Sequence, residues 1–587
     1  MEYHYTSERN AQIIVYLLKQ YGIKKVVASP GATNVPIVAS MQQDAFFEMY
    51  SAADERSAAY IACGLAEESG EPVILSCTGA TASRNYMPGL TEAFYRKLPI
   101  IAVTSTCSIS KIGHLMAQCI DRSQIPNDIA LESVHINKIQ NADEEHDAIL
   151  LVNKAINGLY RRGGGPVHIN IATSYSRDFS IEELPKAKVI RRYDEHAQLP
   201  ALPQGKICIF IGSHKRFTEE ETAVIDQFCK ENDALAFCDH TSGFKGEYRF
   251  LGALVAQQSN VKAELFTSDL CIHLGEVSGD YPCLKVLKKA KNVWRVSEDG
   301  EYRDFGNHLS SVFEMKEIDF FKRYLKNNNV VKNTFINKCK NEYSNLRALI
   351  TSDTLPFSNA WIAWHLSGML PNDSSLYLAI LNSLRCWNFF EISNTISSSS
   401  NVGGFGIDGC VSTMLGASLA SPNKLFFGVF GDLALFYDMN VLLNRHVGNN
   451  LRILLVNNGK GAEFRLYSHV AAKVGEDADK FIAAAGHYGN KSNELIKNLA
   501  LNTGFEYMQA SDKESFLAQC EKFVNPTIDK SIIFEVFTNS DDESDAIYAL
   551  SHLEKSSKSD QAVEKAKSII KGMLGDGALK KVKKIIK

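Results

Sequence analysis

GDLALFYDMNVLLNRHVGNNLRILLVNNGKG, residues 431–461, follows one apolar run, FFGVF, and contains a second, RILLV. Neither run alternates with polar residues, which is the pattern of strands buried on both faces of a parallel sheet. Asp432 stands at the end of the first run and Asn458, 26 residues on, at the end of the second. Ligands of an open parallel sheet sit outside the carboxyl ends of its strands, so the two side chains share a place where ligand is expected. A carboxylate, an amide oxygen and a loop carbonyl such as that of Lys460 are hard donors, suited to Mg2+ or Ca2+. So few protein oxygens favour an ion that also holds a diphosphate. Gly431 and Gly459 permit close backbone approach, and a helix beginning near Leu433 would aim its first N–H groups at the anion. Singly, a Gly-Asp turn and an Asn-Asn turn are ordinary loop chemistry. Their spacing and shared strand-end context make them a candidate site.

Similar apolar runs recur along the chain. KKVVASPG, EPVILSCTG, KLPIIAVTS and GGPVHINI fall in residues 1–180; KICIFIGS, ALAFCD, DLCIHLG and NVWRVS in 200–325; SSLYLAI, KLFFGVFGD, LRILLVNN and KSIIFEVF in 350–545. Helical segments separate them, which predicts an α/β chain of three doubly wound parallel-sheet domains. The polar stretch RDFSIEELPKAKVIRRYDEHAQLPALPQG reads as the linker between the first two. Residues 546–587 form a Lys-rich tail in which Leu579, Val582, Ile585 and Ile586 recur at helical spacing opposite lysines. That predicts a solvated or subunit-contact helix, or one in weak contact with an anionic membrane surface.

At 587 residues, 45% of them apolar, the chain is too long for a single core. Its net charge is −4 and its basic residues are dispersed until the tail, so no nucleic-acid partner is expected. The polar N-terminus and the lack of an apolar run of about 18 residues predict a cytoplasmic protein. Thirteen cysteines sit singly, as buried free thiols do, with no pattern that suggests zinc.

Gly-Asp followed by Asn-Asn at this distance resembles the cofactor motif of the thiamine-diphosphate (ThDP) enzymes. The resemblance implies that Asp432, Asn458 and the main-chain carbonyl of Lys460 hold Mg2+, with Gly431, Leu433, Ala434 and Phe464 around the cofactor. Leu433 departs from the usual third glycine. It also implies a carboxylate for the aminopyrimidine N1′, and Glu55 stands where that group is expected. Alone, Glu55 is a first-turn helical acid beside Asp54, favoured by the helix dipole. Its surroundings match as well: Ser29 and Gly31 in SPG, and Thr78-Gly79 after a strand. Gln118, in GHLMAQCIDR, falls where the family has an active-site Gln, and Ile407, in NVGGFGIDG, matches the apolar prop that bends the cofactor. The resemblance extends over roughly residues 5–540.

Within that family the chain is most similar to the menaquinone-pathway SEPHCHC synthase branch, which adds a decarboxylated 2-oxoglutarate unit to isochorismate. Several basic substrate-binding positions of the branch differ here. Ala32 and Thr33 replace Ser-Arg, Val402 replaces Arg, Asp280-Tyr281 replace a Lys-Arg pair, and Trp387 occupies a fourth basic position, near Asn382, Ser383 and Arg385. Losing bidentate Arg contacts weakens binding of a polyanion, so the expectation is a different substrate pair. Trp387, Phe389, Phe390 and Phe405 are expected to line a more aromatic pocket. His114 and His446 read as structural, with help in proton transfer as the alternative. The resemblance implies ThDP- and Mg2+-dependent decarboxylation of a 2-oxo acid with transfer to an acceptor, in a homodimer or homotetramer that joins Glu55 of one chain to Asp432 of the next. A simple decarboxylase and a non-catalytic subunit of the same fold are the alternatives, with a flavin oxidase as a third reading.

Overall fold

The structure, a computed structural model, describes residues 4–122, 124–326, 333–486 and 492–554. They fall into two compact units. One combines residues up to Leu199 with Asp299–Glu314, the other Pro200–Glu298 with the residues from Met315 on.

In the first unit, β1 (Lys25–Ala28), β2 (Glu48–Ser51), β3 (Val73–Cys77), β4 (Ile100–Thr106), β5 (Ser133–Ile136) and β6 (Val167–Ala172) form a parallel sheet in the order β2-β1-β3-β4-β6-β5. Successive side chains of a strand point to opposite faces. Thus Ile74, Ile101 and Val103 enter a core with the helices Arg9–Gln20 and Ala142–Gly158. Val73, Leu75, Ile100 and Ala102 enter a second core with Ala58, Ala59, Ala62 and Ala66 of the helix Glu55–Ser69. Both faces are covered, which is why these strands show no polar alternation.

The stretch read as a linker is instead packed on this unit. Tyr5 bridges Ile181, and the Tyr21 hydroxyl donates to the Ile190 carbonyl at 2.7 Å. Then β7 (Arg191–Asp194) pairs in parallel with β13 (Leu309–Glu314). Arg192 reaches Glu314 at 2.8 Å and Tyr193 stacks on Phe313 at 5.1 Å. A strand written RRYD lacks the apolar run that betrays central strands.

In the second unit, β8 (Ile207–Ile211), β9 (Ala236–Cys238), β10 (Arg249–Leu251), β11 (Leu270–Leu274) and β12 (Val293–Val296) run in the order β10-β9-β8-β11-β12. A further parallel sheet holds β14 (Ser375–Leu378), β15 (Ser397–Ser400), β16 (Phe426–Gly431), β17 (Leu451–Asn457), β18 (Glu506–Ala510) and β19 (Ile532–Phe537), in the order β15-β14-β16-β17-β19-β18. The fold is α/β with three parallel sheets, as the apolar runs predicted. The helix Ser540–Leu550 continues past residue 545, and Gln258 Nε2 donates to the Leu550 carbonyl at 2.7 Å. The expected tail helix, from residue 555 on, lies outside the described residues.

The thiols depart from expectation at one pair: Cys107 and Cys119 are disulfide-bonded, while the other eleven cysteines are free and buried. No described helix is long and apolar enough to cross a membrane.

Candidate active site

Strands β14, β16 and β17 are neighbours, and their carboxyl ends open onto a cavity of about 150 Å³ in the second unit. The chain supplies Asn382 and Ser383 after β14, Gly431, Asp432, Leu433 and Ala434 at the end of β16, and Asn458, Lys460 and Phe464 after β17; Ile407 closes another side. All ten were picked out in the sequence. Leu381, at φ +66°, makes the sharp turn that brings Asn382 round to the cavity.

The two central oxygens are unpaired. Asp432 is 3% exposed, and its Oδ2 and the Oδ1 of Asn458 are buried without a hydrogen-bond partner. Burial pushes the Asp432 carboxyl up to about 7, against the pull of the Asp432, Leu433 and Gly459 backbone groups. Buried oxygens left in this state await a cation or a proton. Asn457 has a different task. Its Nδ2 donates to Glu535 at 2.7 Å and its Oδ1 accepts from the Gly459 N–H at 3.2 Å, which shapes the turn that presents Asn458. Gly459 itself is at φ +76°. Among the described residues no group of three His, Cys, Asp or Glu side chains could hold a metal. A site of one carboxylate, one amide oxygen and one main-chain carbonyl is of another kind, completed by ligand oxygens, and the donor set fits Mg2+.

Three polar cavity residues were not legible in the sequence. Glu463 holds both terminal nitrogens of Arg385, at 2.5 and 2.9 Å, and Arg385 also donates to Asn382 at 2.7 Å. That guanidinium is therefore already neutralised. Glu543 is 2% exposed; its carboxyl, raised to about 7 by burial, accepts from the Asn359 N–H at 3.1 Å and from the Thr538 hydroxyl at 2.8 Å. Asn359 lines the cavity with an unpaired Oδ1. In sequence, Glu543 is hidden in the acidic run SDDESD, which looks like a solvated helix start.

The expected aromatic lining is not there. Trp387, Phe389 and Phe390 are at most 1% exposed and are core residues, because the helix Asn382–Trp387 turns them away from the strand ends. Phe405 instead meets the Tyr281 ring at 5.9 Å, and Val402 packs beside Gly279. His114 and His446 are exposed, and neither lines the cavity.

The first unit gathers its own set at the ends of β1, β3 and β4. Ser29 follows β1 and donates its N–H to the Ser76 carbonyl at 2.9 Å. A Cβ on Gly31 would lie 2.4 Å from that of Thr78, so only glycine fits there. The Thr33 and Thr78 hydroxyls touch, and Thr33 also reaches the Ser105 carbonyl at 3.2 Å. Gly79 lies beneath the Gln118 main chain, where Gln118 takes φ +61° and leaves its side chain exposed. Ala32 is exposed beside Thr33. Glu55 is the first residue of its helix, capped by Asp54, whose carboxylate accepts from the Ser57 N–H at 2.7 Å. Burial above all pushes the Cys77 thiol at the end of β3 up to about 12, with the Glu55 charge adding to the rise and that of Arg122 opposing it.

Residues 9–125 match the family described as thiamine pyrophosphate enzyme, N-terminal TPP binding domain. Similar proteins include the 2-succinyl-5-enolpyruvyl-6-hydroxy-3-cyclohexene-1-carboxylate synthases of Bacteroides thetaiotaomicron, 30% identical over 91% of this chain and 97% of that protein, and of Bacteroides fragilis, 29% identical over the same shares. That of Flavobacterium johnsoniae is 29% identical over 90% of this chain and 96% of its own. The chain belongs to the thiamine-diphosphate-dependent enzyme family, near the branch of the 2-succinyl-5-enolpyruvyl-6-hydroxy-3-cyclohexene-1-carboxylate synthases.

Proposed function

We propose that the protein is a Mg2+- and ThDP-dependent enzyme that decarboxylates a 2-oxo acid and transfers the remaining acyl unit to an acceptor carbonyl. The observation that carries this reading is the pair of buried, unpartnered oxygens, Asp432 Oδ2 and Asn458 Oδ1, at adjacent strand ends. They and the Lys460 carbonyl would hold Mg2+, while Gly431, Leu433, Ala434, Ile407 and Phe464 pack around the cofactor. Thiamine diphosphate, when bound, supplies the electron sink that lets CO2 leave. Asp432 must lose its proton to bind the ion, so metal uptake releases a proton near neutral pH. Glu55 holds a proton against the aminopyrimidine N1′, and the Gln118 amide orients the reacting oxygen.

Exposed apolar side chains support a self-association that would pair these two regions from different copies. Tyr60 (47% exposed) and Ile61 (44%) lie on the Glu55 helix, and Phe436 (45%) and Tyr437 (60%) on the helix that starts at Asp432. Exposed apolar side chains beside both halves of a site suit a homodimer or homotetramer. The eleven free thiols suit the reducing cytoplasm.

The test is calorimetric: ThDP should bind only with Mg2+, and a mass-spectrometric screen of 2-oxo acids with mixed acceptors should give a coupled product. Glu55→Gln should still bind ThDP yet lose about 10²- to 10⁴-fold in turnover. Full turnover in that variant would overturn the role of Glu55. A second reading, the reaction of the relatives themselves, is favoured by the end-to-end similarity, and 2-oxoglutarate with isochorismate belongs in the screen. Neutralised Arg385 and buried Val402 speak for a less anionic pair. Release of an aldehyde alone would mark a simple decarboxylase, binding without turnover a non-catalytic subunit, and a yellow preparation a flavin enzyme.

A further inference from the structure

Arg122 is 7% exposed. Of the five N–H donors of its guanidinium, one on Nη2 reaches the Ser105 carbonyl at 3.2 Å, while Nε and Nη1 are buried with no hydrogen-bond partner. No carboxylate among the described residues pairs with it. Other buried arginines have stronger partners, although Nε of Arg452 and Nε and Nη2 of Arg249 are also unpaired. Arg452, 1% exposed, donates to the carbonyls of Asn449, Leu451, Thr527 and Lys530 at 2.7 to 3.4 Å. Arg249 is bound by Glu391 and Arg385 by Glu463. A buried cation whose donors have no partner is costly, and a structure that keeps one holds a place for an anion.

Arg122 stands at the carboxyl ends of β3 and β4, where a parallel sheet receives its ligands. A Cβ on Gly79 would stand 3.0 Å from the Ser105 carbonyl, 3.5 Å from that of Gln118 and 3.6 Å from Arg122 Nη2. Glycine there lets the end of β3 pack closely against Ser105, Gln118 and Arg122. Cys119 meets Cys107, which places the Gln118–Arg122 stretch at the end of β4. Burial and the nearby Arg84 lower the Arg122 pKa only to about 10, so the cation persists at neutral pH.

We propose that Arg122 anchors one substrate carboxylate and sets the preference of the site for a monoanionic 2-oxo acid over an uncharged carbonyl compound. The identity of the ligand rests on the ThDP reading above; the demand for an anion rests on Arg122 itself.

The full chain, loaded with ThDP and Mg2+, is titrated calorimetrically with oxamate, an unreactive carboxylate of the shape of pyruvate, and with uncharged oxamide. Wild type should bind oxamate and not oxamide. Arg122→Gln should weaken oxamate by about 30-fold or more while ThDP affinity stays within about twofold and the circular-dichroism spectrum is unchanged. Arg122→Lys, which keeps the charge, should recover part of the affinity. Where turnover is measurable, the Gln variant should lose mainly in KM. Equal oxamate binding by wild type and the Gln variant overturns the proposal, as does equal binding of oxamide and oxamate by wild type. So does loss of ThDP and of the oligomer together in the Gln variant, since Arg122 would then pair with a carboxylate of a second copy. Wild-type protein that takes up no ThDP overturns the functional reading instead, and the oxamate comparison on unloaded protein then still decides the role of Arg122.

Discussion

The first sheet and the last have the same strand order, β2-β1-β3-β4-β6-β5 against β15-β14-β16-β17-β19-β18. Corresponding strands therefore end in corresponding places. Past β3 and β4 come Thr78-Gly79 and Cys107; past β16 and β17 come Asp432 and Asn458. One scaffold presents unpaired oxygens, Asp432 Oδ2 and Asn458 Oδ1, and the other a guanidinium with two unpaired nitrogens, Arg122. The sheets teach that topology fixes where a site is, and strand-end side chains fix which charge it receives.

The largest test of this opposition is the pH dependence of stability. His168, on β6, is pushed down to about 3 by burial and by the charges of Arg122 and His135. Between that value and 6.5 the unfolded chain binds the extra proton, so its contribution is complete above pH 6.5 and drains as pH falls, by on the order of 5 kcal/mol. Glu543, beside the other site, has the reverse sign. Raised from 4.5 to about 7, it keeps its proton in the folded state, so stability is greatest below pH 4.5 and falls as pH rises to about 7, by on the order of 3 kcal/mol. Urea midpoints across this range should lose part of their acid limb in His168→Gln, the rest coming from buried His240, and part of their neutral limb in Glu543→Gln, the rest coming from buried Asp280 and Asp432. Wild-type profiles in both variants would break the contrast.

Next in size, Asp432→Ala should weaken Mg2+-dependent ThDP uptake by about 100-fold or more, judged by calorimetry against the 10- to 100-fold that supporting residues of metal sites contribute. The same variant removes a buried carboxylate with one unpaired oxygen, so the metal-free protein should melt no lower than wild type. The smallest test sets two glycines against each other. Gly31→Ala would drive its Cβ against Thr78 and should destabilise by about 1–3 kcal/mol in urea titration. Gly431→Ala meets nothing within 4 Å and should stay within about 0.5 kcal/mol of wild type.

What could be read in the sequence follows the same physics. Central strands were legible because both their faces are buried, as in VILSC and IIAVTST. Edge strands such as EMYS, SVHI, SSSS and EYMQA, half in solvent, carry no such run and went unread. RRYD passed for linker for that reason. In the site, Asp432 and Asn458 were legible through spacing alone. Glu463 and Glu543 were not, since their partners, Arg385 and Asn359, lie 78 and 184 residues away. The aromatic pocket failed because apolar type says nothing about which side of a short helix a ring takes.

By itself the sequence determined the α/β class, the central strands, the residues at their ends and the family, because buried strands and chain turns are written in local composition and spacing. Only the tertiary structure decided that Arg385 is neutralised while Arg122 is not, that Asn457 builds a turn while Asn458 faces the cavity, and that one oxygen of Asp432 is buried without a partner. Pairing and burial depend on residues far apart in the chain, and a charge acts as a ligand only where folding leaves it unanswered.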